Sequence, residues 1–224
     1  MLRVDERSGK LVAARPLRPL LATAGGWLCF DWGFYGNALM QKRIMTALMG
    51  DVNALTIDLA NLVVSLCAFF FLGATLAVLE SGALDVVQLQ VVGFFLNAAM
   101  ALTVALNWGP LTADPDDHVA TALLFALYVG LYGSYWLPKV TTYVVPTVAF
   151  PAEVRSTLHG VSAACGKVGG IIGTTVFTGM ICRYDDSVAV ERIMLSCALL
   201  AASGGTLTLV GIGWTGASAA REMI

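Results

Sequence analysis

The sequence predicts an all-α polytopic membrane protein, a bundle of about six transmembrane helices, and three observations carry that expectation. Of its 224 residues, 58% are hydrophobic and only 12% are Asp, Glu, Lys or Arg, against roughly 25% charged residues in an ordinary soluble domain. With a mean hydropathy of +0.78, a water-soluble fold of this length cannot hide so much apolar surface. The apolar residues also fall in runs able to cross a hydrocarbon core of roughly 30 Å, which takes about 20 helical residues. Finally, the runs lack the strict alternation of a barrel strand, so helices follow.

Taken in order, residues 1–19 are polar, with Arg3, Arg7, Lys10, Arg15 and Arg18 against Asp5 and Glu6, and Pro16 and Pro19 close the segment. This reads as a cytoplasmic arm or the end of an inter-domain loop. A six-helix transmembrane domain is expected over 20–214, with spans at Leu20–Met40, Leu55–Leu79, Val86–Leu106, Val119–Val148, Ser156–Ile181 and Ile193–Trp214, and a tail over 215–224. Short polar segments separate the spans: Gly50 to Asn53, Glu80 to Gly82, Asp114 to His118, Phe150 to Glu153 and Tyr184 to Asp186. A signal peptide is a poorer reading of the basic start, because the apolar run that follows is interrupted by Asp31 and is too long for an h-region.

Lys and Arg set the orientation. If both termini lie on one side, that side carries the five basic residues of the arm with Arg155 and Arg221, while the other carries Lys42, Arg43, Arg183 and Arg192. Cytoplasmic N- and C-termini are expected. The net charge is −2 and no Lys or Arg occurs from Ile44 to Pro138, which excludes nucleic acid as a partner. Cys29, Cys67, Cys165, Cys182 and Cys197 are scattered without metal-ligand spacing and read as small apolar packing residues. No metal or cofactor is expected, and with no nucleophile motif an enzyme is the least favoured class.

Asp31, Lys139 and Lys167 lie inside predicted spans. A charge at the bilayer centre costs about 2.5 to 3.5 kcal/mol on insertion scales, so such residues face a cavity or one another. Trp27, Asp31 and Tyr35 recur at i, i+4 and i+8, within about 80° of one helix face. An indole N–H and a phenol O–H donate, and a carboxylate accepts or takes a proton; a protonated oxyanion such as dihydrogen phosphate satisfies that mixed set. Aromatic packing against a neighbouring helix is the alternative use of the stripe. Around Lys167, Gly166 with Gly170 and Gly169 with Gly173 have the GxxxG spacing that lets helix backbones approach, which would carry the ammonium toward another helix and toward Asp31 or an anion.

Two separated segments carry a resemblance. Phe150-Pro151 followed by Arg155-Ser156-Thr157-Leu158-His159-Gly160-Val161-Ser162-Ala163-Ala164-Cys165-Gly166-Lys167-Val168-Gly169 is similar to the penultimate-helix signature EVFPTRYRSTxHGISAASGKxGA of the phosphate:proton symporters of the major facilitator superfamily. Trp27-Leu28-Cys29-Phe30-Asp31-Trp32-Gly33-Phe34-Tyr35-Gly36-Asn37 resembles that family's seventh-helix motif WxxxDxxFYGxG. The resemblance spans essentially the whole chain as helices seven to twelve, the C-terminal half of the fold. It implies proton-coupled transport of inorganic phosphate in the plasma membrane. Trp27, Asp31 and Tyr35 would contact phosphate, Asp31 would couple the proton, and Lys167 would interact with both. Thr141, Thr142 and Tyr143 match the tail of the tenth-helix motif GPNTTTF.

There are departures. Lys139 stands where that motif has asparagine and would add a positive charge to the substrate site, Val148 replaces the glutamate two residues before Phe-Pro, and Glu153 replaces the arginine of TRYRS. Glu80-Ser81-Gly82-Ala83-Leu84-Asp85 takes the place of a basic DxxGRR loop. The partners implied are phosphate, a proton, the lipid bilayer, and an N-terminal six-helix half or a second copy. Two other readings stand beside this one: a major facilitator transporter for a sugar or an organic anion, which Lys139 favours, and a non-transporting membrane subunit or truncated remnant.

Overall fold

A computed structural model describes residues 2–4, 11–13, 17–50, 52–114 and 116–214. The tail 215–224 and the basic side chains of the arm up to residue 16 lie outside them. Among the described residues two short strands, β1 (Leu2–Val4) and β2 (Leu11–Ala13), pair antiparallel ahead of seven helices. These are α1 (Leu17–Met49), α2 (Ala54–Ser81), α3 (Val86–Leu111), α4 (His118–Ser134), α5 (Trp136–Ala149), α6 (Ala152–Arg183) and α7 (Asp186–Gly211).

Local chemistry explains where they begin and end. Asn53 caps α2 by accepting from the Thr56 N–H at 2.9 Å, and α2 stops at Gly82, whose φ of 69° is the left-handed conformation that glycine adopts without a Cβ clash. Asp85 and Gln88 form a capping box on α3, and Asp117 caps α4. These ends fall at the polar segments read from the sequence. α1 continues beyond the expected Met40 because no breaker occurs before Gly50, which turns the chain with a φ of 70°.

One expected span is broken. Val119–Val148 divides into α4 and α5 at Tyr135, because Pro138 has no N–H for the Ser134 carbonyl and its ring crowds that carbonyl. The Lys139 N–H restarts the ladder on the Tyr135 carbonyl at 2.9 Å. The Ser134 hydroxyl donates to the Leu131 carbonyl and accepts from Asn97 Nδ2 at 2.8 Å, tying the break to α3. Irregular backbone at membrane depth is tolerated where protein buries it, and Ser134 is fully buried.

Counting α4 and α5 as one crossing, five helical segments among the described residues are long and apolar enough to span a membrane. The chain is an integral membrane protein of helical type. α1, the sixth expected span, is 33 residues long but is absent from those five, because Asp31, Asn37 and repeated glycines replace aliphatic residues along it. Position in the bundle accounts for that composition: α1 lies between α6 and α7, α3 packs along α7, and α4 and α5 close against α3. Trp27, Phe30, Phe94, Trp108, Tyr128, Phe177 and Met194 fill the core between them. α2 is peripheral and turns Leu62, Leu66, Phe69 and Phe70 outward, Phe70 at 80% exposure, as expected of a surface whose solvent is lipid.

Candidate functional site

The site is built on the seam between α1 and α6, and glycines set its spacing. A Cβ at Gly169 would collide with the Leu28 carbonyl and one at Gly173 with the Trp32 carbonyl, while Gly36 of α1 admits the Phe177 ring. The contacts advance together, 28 with 169, 32 with 173 and 36 with 177, so the two helices run parallel in backbone contact. Three residues before Gly169, Gly166 lies against the Trp27 ring and Asp31 Oδ2.

That proximity brings an acid and an ammonium together. Lys167 Nζ donates to Asp31 Oδ2 at 3.3 Å and to Tyr35 Oη at 3.3 Å. Asp31 is 3% exposed, whereas the Lys167 side chain is 57% exposed; the pair is closed by protein on the acid's side and open on the other. Because Lys167 donates to the phenol oxygen, the Tyr35 proton remains free to donate outward. Trp27 is buried, and its indole N–H has no hydrogen-bond partner among the described residues. An unpaired donor at this depth loses its hydration without replacement, a cost of roughly 1 to 3 kcal/mol. Its ring packs edge-on to Tyr143 at 4.6 Å between centroids and beside His159 at 5.7 Å.

Of the five residues singled out from the sequence, Trp27, Asp31, Tyr35 and Lys167 therefore share one wall. Lys139 approaches from α5 without joining the hydrogen-bonded set. Its ammonium rests over the rings of Trp136 at 4.2 Å and Phe34 at 4.7 Å, near enough to Asp31 for the two charges to interact. Thr141 and Thr142 are buried and turn their hydroxyls onto their own helix, Thr141 to the Leu137 carbonyl at 2.9 Å and Thr142 to the Lys139 carbonyl at 3.3 Å.

Sequence reasoning missed Phe34 and Trp136 as supports for Lys139, and His159 as a neighbour of Trp27. Trp136 precedes Lys139 by three residues and Phe34 follows Asp31 by three, the helical spacing that could have found them. Among the described residues no group of His, Cys, Asp and Glu could hold a metal ion.

No protein-family model matches the chain. Among curated proteins, the inorganic phosphate transporter 1-6 of Oryza sativa subsp. japonica is 33% identical over 183 residues, covering 76% of this chain and 33% of that protein. The probable inorganic phosphate transporter 1-5 of the same rice is 34% identical over 167 residues, 70% of this chain and 30% of its own length. The probable inorganic phosphate transporter 1-6 of Arabidopsis thaliana is 29% identical over 178 residues, 72% of this chain and 32% of the relative. These relatives are named as transporters. The chain is a homologue of these inorganic phosphate transporters, of whose length it spans about a third.

Proposed function

We propose that the chain supplies one wall of a pathway that moves inorganic phosphate across a membrane together with a proton. The observation that carries the reading is the contact of buried Asp31 with half-open Lys167 at 3.3 Å across the α1–α6 seam. An acid and a base kept at membrane depth pay for themselves through function, and here they stand beside an outward-donating phenol and an unpaired indole N–H. Phosphate oxygens accept from Trp27, Tyr35 and Lys167, and a phosphate hydroxyl donates to Asp31. When Asp31 takes a proton its repulsion for the anion vanishes and Lys167 is released to the substrate. Binding and protonation then favour one another, which is the condition for coupled transport.

The open side of Lys167 faces the opposing wall, contributed by a second six-helix half or a second copy of the chain; alternating access rocks one wall against the other. In this arrangement 1–19 is a cytoplasmic arm, 20–214 the membrane domain and 215–224 a cytoplasmic tail, with both termini inside and the plasma membrane as the site of action. No reaction is catalysed. The names of the relatives support phosphate as cargo. The test is uptake of radiolabelled phosphate by proteoliposomes with and without an imposed proton gradient. Accumulation above the external concentration, only when the inside is alkaline, is the expected result; uptake indifferent to the gradient would remove the proton from the mechanism.

A further inference from the structure

The break between α4 and α5 turns a polar side chain into the bundle. Tyr135 stands at that break, 3% exposed, with its ring edge-on to Phe34 at 5.6 Å and to Phe30 at 6.2 Å between centroids. Its hydroxyl has no hydrogen-bond partner among the described residues. The side chain lines a cavity of about 10 Å³, to whose wall Gly33 of α1, Asn97 of α3 and Cys197 of α7 also contribute. A Cβ at Gly33 would lie 3.7 Å from the Tyr135 hydroxyl and 3.9 Å from the Cys197 sulfur, so both groups stand at the same wall. Asn97 brings a carboxamide, whose Nδ2 donates to the Ser134 hydroxyl at 2.8 Å and which carries a second N–H and a carbonyl oxygen besides.

We propose that this cavity is a binding site for one water molecule. The Tyr135 hydroxyl donates to the water, which in turn donates to the Asn97 carbonyl oxygen and, more weakly, to the Cys197 sulfur. A cavity holds a water when it offers at least roughly 10 to 15 Å³ and two to four polar partners, and this one supplies both. Cavities that stay dry are lined by apolar atoms alone, and a buried hydroxyl left without a partner lowers stability. The water joins α1, α3 and α7 to the place where Pro138 interrupts the helical ladder, a joint that a continuous helix would not need. Its site is separate from the wall that carries Asp31. Gly33 lies two residues beyond Asp31 and about 200° around α1, so the water holds the back of the helix whose front presents Trp27, Asp31 and Tyr35. The site is the same whatever that front transports.

The experiment is thermal unfolding of the complete polypeptide in detergent for the native protein, Tyr135→Phe, Gly33→Ala and the double variant. Tyr135→Phe removes only the hydroxyl, and Gly33→Ala puts a methyl at ordinary contact distance where the water would sit. With water bound, Tyr135→Phe lowers Tm by about 2 to 4 °C. Gly33→Ala is then more favourable in the Tyr135→Phe background than in the native one, again by about 2 to 4 °C, because only in the native protein does it displace the water and strand the hydroxyl. A dry cavity gives the opposite: Tyr135→Phe leaves Tm unchanged or raises it by deleting an unpaired polar atom, and Gly33→Ala acts equally in both backgrounds. Either of those results overturns the proposal. A second measurement needs only the native protein and Gly33→Ala. A short X-ray pulse converts bound water to hydroxyl radical in place, and Tyr135 and Cys197, at 3% and 1% exposure, are expected to be oxidised in the native protein and protected in Gly33→Ala. Native protein in which neither is oxidised overturns the proposal as well.

Discussion

Two helix seams in this molecule use glycine to bring helices close, and they do opposite things with the proximity. Along α3 and α7, Gly204 is filled by the Phe94 ring, and the polar groups form a neutral, buried pair: Gln90 Nε2 donates to the Thr208 hydroxyl at 2.9 Å. Along α1 and α6, Gly169 and Gly173 meet the backbone carbonyls of Leu28 and Trp32, so at those two positions no side chain separates the helices. Beside a buried neutral contact between the Thr23 and Ser162 hydroxyls at 2.8 Å, this seam holds a charged pair, shielded on one side and open on the other. A neutral pair closed on all sides fixes helix register. An ion pair open on one side can exchange a partner for a substrate, and that distinguishes the working seam from the structural one.

The largest effect expected from breaking this contrast is at Asp31. Asp31→Asn retains phosphate binding, because the amide resembles the protonated acid in charge, but it loses proton-driven accumulation at least tenfold. Uptake under an imposed gradient, compared with exchange at equal concentrations, separates the two. Uphill uptake in that variant would contradict the role given to the carboxylate.

Next come the glycines. Gly169→Ala places a methyl against the Leu28 carbonyl, where only backbone can yield, and costs about 1 to 3 kcal/mol. Gly204→Ala meets the Phe94 ring, which can turn, and costs less. Thermal unfolding in detergent ranks them, and only Gly169→Ala also weakens phosphate binding. Lys167→Met follows, weakening phosphate about tenfold, or roughly 1.4 kcal/mol, with a smaller effect on stability because its side chain is more than half exposed. The smallest is Gln90→Leu, which removes a neutral interhelical hydrogen bond of about 0.6 kcal/mol and leaves transport unchanged.

Much of this was legible in the residues. Trp27, Asp31 and Tyr35 announce a helix face by spacing alone, and the glycines around Lys167 announce close approach, so the wall could be drawn before its geometry was known. The break at Tyr135 was not read. Its apolar run is continuous through Pro138, and whether a proline breaks a membrane helix depends on tertiary packing, here the buried contact of Asn97 with the Ser134 hydroxyl, which the run does not reveal. The placement of Lys139 was half legible: its charge was evident, but its bed of Phe34 and Trp136 depends on that break. The interruption of the first run by Asp31 was legible, and its cause is position, because a helix enclosed by protein need not be greasy toward lipid.

The central claim is that Asp31 and Lys167 act as one unit on the anion. A double-mutant cycle of phosphate affinity over Asp31→Asn and Lys167→Gln tests it most directly. The account predicts that the effect of Lys167→Gln changes in the Asp31→Asn background, with a coupling energy of about 0.5 to 3 kcal/mol. Effects that simply add, to within about 0.5 kcal/mol, would contradict it.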